Sequence, residues 1–311
     1  MELIRGLHNL CDRHRGGTAT IGNFDGVHRG HQVVIAQAAR KARARNSKST
    51  VISFEPTPME FFDAAKAPPR LTRLREKYRA LASTGVEQML CLRFESSLSD
   101  LSPDEFVKRI LVEGLAVTDV VVGDDFRFGR KRLGDFESLL AAGRKFGFSV
   151  TSTDTFDLDG ERVSSSAVRR ALDAGNLQRA RVLLGRPYQI CGHVIRGKQL
   201  GRELGFPTAN IATKRRVAPL RGIFAVRVSG IAGEKPLDGV ASLGRRPTVR
   251  GDHELLEVHL FDSDRALYGQ ILTVSFLARL RDEEAFPDLD TMKKQMRRDA
   301  AEARRVLKRY A

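Results

Sequence analysis

Thr20-Ile21-Gly22-Asn23-Phe24-Asp25-Gly26-Val27-His28-Arg29-Gly30-His31-Gln32 is the stretch on which the reading of this chain turns. It begins as an apolar strand, bends at glycines and opens a helix with two histidines at its approach. A helix start carries backbone N–H groups without intrahelical partners, and the aligned peptide dipoles there favour an anion, so the natural guest is a phosphate. His28 and His31, three residues apart where the helix begins, can share one side of the turn, and an imidazole donates a hydrogen bond in either protonation state. An ordinary strand-to-helix turn also accounts for a G-x-x-x-G with a histidine. Gly22, Asp25, Gly26, His28, Gly30 and His31 in one fixed order point beyond it.

Around this turn, residues 18–175 alternate apolar strands with amphipathic helices. The pattern predicts strands at Thr20–Phe24, Ser49–Glu55, Gln88–Phe94, Thr118–Val122 and Ser149–Phe156. It predicts helices at Gln32–Arg45, Leu74–Gly85, Pro103–Gly114, Phe136–Phe146 and Ser165–Ala174. Such alternation implies right-handed crossovers in a Rossmann-like α/β domain with a parallel sheet, and ligands at the carboxyl ends of its strands. Two further strand ends carry suggestive residues. Gly123-Asp124-Asp125-Phe126-Arg127-Phe128-Gly129 offers acids and aromatics but on its own reads as a polar loop. Arg162-Val163-Ser164-Ser165-Ser166-Ala167-Val168-Arg169 reads as a serine N-cap, or as a second phosphate-binding turn in which hydroxyls and N–H groups donate and Arg169 adds a forked cation. The basic run Arg40–Arg45 is expected to be a solvated face, and Ser53–Pro58 a shaped loop.

At Gly185-Arg186-Pro187 a helix stop signal ends this pattern. Strands follow at Tyr188–Ile195, Thr208–Ile211, Ile223–Ser229, Leu237–Leu243, Leu255–Asp262 and Ile271–Phe276, predicting a small antiparallel β-barrel with a terminal helix over Leu289–Leu307. That helix would pack along Leu289, Met292, Met296, Ala300 and Ala303. Two domains are therefore expected, 1–185 and 186–311. Gly197–Asn210 lacks the G-x-x-x-x-G-K-[ST] of a P-loop. Thr208 and Asn210 are two apart on a predicted strand and would face one way; they read either as its wet face or as oxygen donors for magnesium and phosphate.

Composition sets limits. At 311 residues, 41% hydrophobic and 29% charged, the chain has the make-up of a soluble globular protein. No run of about 18 apolar residues predicts a membrane span. The opening Met1–Gly6 lacks a signal layout, so a cytoplasmic protein is expected. Cys11, Cys91 and Cys191 are scattered without ligand or disulfide spacing. The net charge of +15 suits polyanions. With no Trp, 4 Tyr and no nucleic-acid motif, small phosphorylated substrates are the expected partners rather than nucleic acid or membrane.

The turn His28-Arg29-Gly30-His31 resembles the H-x-G-H signature of nucleotidyltransferases, in the longer form G-x-F-D-G-x-H-x-G-H of bacterial bifunctional riboflavin kinase/FAD synthetases. Gly123–Gly129 resembles that family's G-x-D/N-F-x-F-G, and Val163–Arg169 its I-S-S-T-x-I-R with three mild substitutions. Gly197–Asn210 is similar without a gap to the riboflavin kinase signature G-x-x-L-G-R-x-L-G-F-P-T-A-N. Ala241-Ser242 and Ala285 depart from the family, which usually has an asparagine-bearing segment and a lysine there. The resemblance implies riboflavin, FMN, FAD and ATP as substrates and products, with Mg2+ as cofactor. It implies Glu257 as catalytic base of the kinase, and His28 and His31 as catalytic in adenylyl transfer. Gly22, Asp25, Gly30, Asp125, Ser164, Ser165, Arg169, Lys198, Gly201 and Pro207 would bind ATP or phosphate. Thr208 and Asn210 would hold the metal, and Phe128 and Arg281 would lie near flavin. Two rivals stay open at this stage: a nucleotidyltransferase with another phosphorylated acceptor, and a basic RNA-binding or regulatory protein on the same fold.

Overall fold

The computed structural model describes residues 1–196, 205–231, 235–246, 253–263, 265 and 267–310. They form two compact units, Met1–Pro68 with Arg73–Ser164, and Pro69–Thr72 with Ser165–Ala311.

The first unit is built on six strands: β1 (Glu2–Arg5), β2 (Thr18–Ile21), β3 (Ser49–Glu55), β4 (Gln88–Arg93), β5 (Asp119–Gly123) and β6 (Ser149–Thr153). Their order is β1-β4-β3-β2-β5-β6, and every pairing is parallel. Runs such as Val120-Val121-Val122 and Met89-Leu90 are continuously apolar because both faces of such a sheet are covered. Ile52 and Leu90 join one apolar cluster; Val51, Met89 and Cys91 join a second with Phe24, Val27 and Ile35. The alternation follows from the two-residue period of a strand. β1, paired in register with β4, has too short an apolar run to be visible from sequence periodicity.

Helices α1 (Arg29–Ala44), α2 (Pro58–Phe62), α3 (Leu74–Ala82), α4 (Ser96–Ser99), α5 (Pro103–Phe106) and α6 (Phe136–Phe146) connect the strands. The single helix expected over Pro103–Gly114 widens after Phe106 into a π turn, with the Glu113 N–H donating to the Lys108 carbonyl at 2.8 Å. The basic face of α1 is not merely solvated. Lys41 and Arg45 reach the buried Asp119 carboxylate at 3.6 and 2.8 Å, since a buried carboxylate requires paired charge.

The second unit contains α7 (Ser165–Asp173), α8 (Leu177–Leu184) and six strands: β9 (Tyr188–Ile195), β10 (Ala209–Ala212), β11 (Gly222–Ser229), β12 (Leu237–Arg246), β13 (His253–Leu260) and β14 (Ile271–Arg281). The strands close as β10-β13-β12-β11-β14-β9, all neighbours antiparallel. Its core includes Ile190, Phe224, Leu256 and Phe276, with the Phe224 and Phe276 rings edge to face at 5.2 Å. Gly185 ends α8 in the left-handed conformation, φ 73°. α8 packs against β9 and β14, so the compact units part at Ser164/Ser165, ahead of the Gly185–Pro187 junction. Pro69–Thr72 belongs to this unit through its carbonyls. Leu71 O accepts from the Tyr188 hydroxyl at 3.0 Å and from Arg215 at 3.3 Å, and Pro69 O accepts from Arg169 Nε at 2.7 Å.

The terminal helix α9 (Leu289–Leu307) has the expected bounds, and Ala300 and Ala303 of the expected stripe pack on the barrel, but the stripe does not extend to Leu289. Leu289 is exposed, and burial centres on Asp299, Ala303 and Leu307. Ala303 and Leu307 cover Ala225 on the outside of the barrel. The helix engages the strands through its C-terminal half, which the apolar spacing alone does not reveal.

Gly192 in β9 has no space for a side chain: an added Cβ would stand 2.4 Å from the Ala212 carbonyl oxygen of β10. Gly192→Ala is therefore expected to lower stability by about 2 kcal/mol, in line with overpacking elsewhere, read as a fall in the denaturation midpoint.

Candidate functional site

β2 lies where the strand order reverses, between β3 on one side and β5 on the other. In an open parallel sheet the crevice at such a switch point, beyond the carboxyl ends of the strands, is where ligands bind. The turn that follows β2 occupies this place. Its strand ends at Ile21 rather than Phe24, because the backbone turns over: Phe24, Gly26 and Val27 have φ of 47°, 84° and 45°. A β-branched residue such as Val27 is rarely left-handed, and strained backbone persists only where its surroundings over-determine it. Here Phe24 and Val27 are both buried, and the Gly22 N–H donates to the Ile52 carbonyl at 3.1 Å. Asp25 is buried within the same turn.

The helix begins three residues earlier than the pattern suggested, because His28 is its N-cap. His28 Nδ1 accepts the His31 N–H at 3.3 Å, and Gln32 N–H donates to the His28 carbonyl at 3.0 Å. On a neutral ring the proton then sits on Nε2, from which it can be donated. The two imidazoles stack, centroids 3.6 Å apart and planes at 20°, with Phe24 edge-on to His31 at 5.1 Å. Gly30 makes the packing possible: a Cβ there would lie 3.1 Å from the Val163 carbonyl and 3.2 Å from His28 Nδ1. His28 is 5% exposed and His31 half-buried, so both rings are held firmly at the mouth of the helix.

The loop after β5 stands at the neighbouring strand end. Asp125 pairs with Arg162 of a short hairpin, β7 (Asp157–Leu158) with β8 (Glu161–Arg162), in a solvent-exposed ion pair. Asp124 accepts from the Thr155 hydroxyl at 2.7 Å, which holds its carboxyl below the usual aspartate range. Phe128 is 6% exposed, stacked on Phe126 and embedded in the apolar core. Its side chain supports the loop from within. Ser164 ends the first unit, and Ser165 and Arg169 lie at the start of α7 in the second. All three are partly buried.

Two features of this unit escape a reading of the sequence. Phe61 and Phe62 of α2 are exposed and gather edge to face around Phe94, with Phe54 beside it, at the carboxyl ends of β3 and β4. Lys77 of α3 is 1% exposed, its Nζ donating to Ser53 Oγ at 3.1 Å. A lysine sharing the inner face of a helix with Leu81 is the signal that could have found it.

In the barrel, Asn210 of β10 stands directly opposite Glu257 of β13, and Glu257 directly opposite Ser242 of β12. Opposed residues on antiparallel strands share a face. Leu256 and Val258 fill the core, so Glu257, Asn210 and Ser242 form a polar row on the outer side of the barrel. Thr208 immediately precedes β10, which begins at Ala209 rather than at Thr208. His259, missed by the sequence reading, donates from Nδ1 to the Pro207 carbonyl at 2.9 Å and meets Phe206 edge-on at 5.2 Å. It thus ties the Pro207-Thr208 approach to β13. Ser242 Oγ donates to Glu283 at 3.0 Å, which gives the departing Ala241-Ser242 segment its hydrogen bond. Arg281 forms a two-pronged pair with Asp299 of α9 at 2.7 and 2.9 Å and lies over the Phe286 ring; the carboxylate raises its guanidinium above the ordinary arginine value. Lys198 and Gly201 lie outside the described residues.

Among the described residues no group of three His, Cys, Asp or Glu side chains could hold a metal alone. Asn210, 8% exposed beside the Glu257 row, together with Thr208 offers a few hard oxygen donors, a set that suits Mg2+ carried largely by nucleotide phosphates and water. No helix among the described residues is long and apolar enough to cross a membrane.

Two family models match the chain: FAD synthetase over residues 11–167 and riboflavin kinase over residues 184–307. The bifunctional riboflavin kinase/FMN adenylyltransferases of Escherichia coli K12 and Pseudomonas fluorescens are each 50% identical over 98% of this chain and 97% of their own. That of Haemophilus influenzae is 45% identical over 98% of both. A Streptococcus pneumoniae structure described as a macrolide-efflux protein has the same fold, with a TM-score of 0.80 and 28% identity over 96% of this chain and 97% of that one. With family models matched in both halves of the chain and relatives matched along nearly their whole length, the chain belongs to the family of bifunctional riboflavin kinase/FMN adenylyltransferases.

Proposed function

We propose that residues 186–311 transfer the terminal phosphate of ATP to riboflavin, giving FMN, and that residues 1–185 join FMN to the AMP portion of a second ATP, giving FAD and pyrophosphate. The observation that carries this reading is the placement of the two family matches, each over one of the two sequence halves. A nucleotidyltransferase with a different acceptor would have no use for the kinase half.

In adenylyl transfer, an FMN phosphate oxygen attacks the α-phosphorus of ATP and the bond to pyrophosphate breaks. His28 and His31 donate to the oxygens on which charge accumulates, as their seat at the start of α1 allows. Gly22, Asp25 and Gly30 shape the turn, and Asp125 and Ser164 complete its surroundings; Ser165 and Arg169 supply the phosphate-binding start of α7. The exposed Phe61–Phe62 cluster is a flat apolar platform for the isoalloxazine ring. Phe128 acts from beneath as packing.

In the kinase, Glu257 orients the riboflavin hydroxyl and accepts its proton as the γ-phosphorus is attacked. Thr208 and Asn210 would hold Mg2+, which supplies charge neutralisation to the phosphates when bound. Pro207, Lys198 and Gly201 would line the ATP site, and Arg281 would organise the flavin end through Asp299. Neither reaction requires a covalent enzyme intermediate; positioning and electrostatics supply the rate. A cytoplasmic setting fits a chain that consumes ATP and carries Cys11, Cys91 and Cys191 as free thiols.

Incubation with riboflavin, ATP and magnesium, followed by chromatography, should yield FMN and then FAD, and EDTA in excess of magnesium should stop both. Formation of FMN alone, or full activity in EDTA, would refute the corresponding half of the proposal.

A further inference from the structure

We propose that Lys77 is a positioning residue for adenylyl transfer, which holds the histidine turn in its phosphate-binding form and lends it a buried positive charge. The inference rests on the reading of that turn as the ATP phosphate site.

Lys77 Nζ donates to Ser53 Oγ at 3.1 Å, and Ser53 Oγ donates in turn to the carbonyl of Asn23 at 3.3 Å. Lys77 and Ser53 are 1% and 0% exposed. The relay therefore runs from an enclosed ammonium to the backbone of the turn itself, one residue before left-handed Phe24. α3, which carries Lys77, also contributes Ala80 and Leu81 to the cluster that buries Phe24 and Val27. The turn is thus fixed from below by apolar packing and by a charged hydrogen-bond chain.

Two consequences follow for an incoming triphosphate. Fixing the Asn23 carbonyl inward fixes the plane of the next peptide, and with it the direction in which the following N–H groups face. An enclosed cation behind the turn also acts through protein rather than water, so its attraction for phosphate is weakly screened. A buried lysine is costly to keep, and a methionine of similar length would fill the space without the charge.

The test uses the full chain and FAD formation from supplied FMN with magnesium and ATP, with FMN formation from riboflavin as an internal control. Lys77→Met is expected to raise KM for ATP in the FAD step by about tenfold or more, as loss of a binding interaction does, while FMN formation stays at the rate of the unsubstituted chain. Lys77→Arg should recover part of the loss. Ser53→Ala, which keeps the ammonium but breaks the relay, should raise KM for ATP by a smaller factor, and it decides the matter if Lys77→Met does not fold. A merely structural lysine would lower the denaturation midpoint and leave KM for ATP unchanged in both variants; that result overturns the proposal. If His28→Ala with His31→Ala keeps FAD formation, the reading of the turn fails. If that double variant loses FAD formation while Lys77→Met and Ser53→Ala keep normal KM, only the role of Lys77 fails.

Discussion

His28→Ala combined with His31→Ala is expected to abolish measurable FAD formation from FMN and ATP while leaving riboflavin phosphorylation intact. The size of the effect follows from what the rings do. Charge grows on the oxygens of the attacked phosphorus, and a fixed donor there costs no reorganisation at the moment of reaction. Removing one such donor typically costs about 10²–10³-fold in rate, so losing both should take the step below detection. His28 carries a second role, since its Nδ1 caps α1, and loss of an N-cap costs on the order of 1 kcal/mol. His28→Asn with His31→Ala restores a capping side chain without the imidazoles, so it should fold normally and still fail to make FAD. Retention of FAD synthesis by that variant would remove the histidines from the mechanism.

Glu257→Ala should give the mirror image: no FMN from riboflavin, with FAD still formed when FMN is supplied. A carboxylate that receives a proton in the transition state contributes about 10²–10⁴-fold; the Glu283 carboxylate beside the row is engaged by the Ser242 hydroxyl at 3.0 Å. Glu257→Gln keeps the size and one oxygen, so it separates orientation of the hydroxyl from proton acceptance. It should bind riboflavin with nearly unchanged affinity and turn over at the low rate of the alanine variant. Loss of both activities in either folded variant would contradict the separation of the two sites.

Much of this was legible in the residues. The histidine turn, the β9 and β3 strands, α6 and the closed barrel follow from period, glycine placement and apolar runs, because those features act locally. The switch-point location of β2 follows from strand order, which no local pattern encodes. β1 was invisible because four residues, two of them charged, do not make a periodic signal. On α9 the Ala300–Ala303 part of the inner face follows from spacing, but Asp299 does not, since it is buried by a specific partner, Arg281, that lies in another element. Phe128 and Lys77 show the same limit from opposite sides: an aromatic in a binding motif turns out to be core, and a lysine on a helix turns out to be enclosed. Burial is a property of the assembled unit, and identity alone predicts it only on average.

The short Pro69–Thr72 segment gives the gene a constraint of its own. Two reactions written as two halves invite the view that each half is a portable part, divisible near residue 185. Yet Tyr188 and Arg215, both in the kinase half, place hydrogen bonds on the carbonyl of Leu71, far upstream in the other half. α7 and α8, also upstream of such a cut, belong with the barrel. Shuffling this barrel between genes as a self-contained cassette would leave part of its packing behind, so its chemistry is more modular than its architecture.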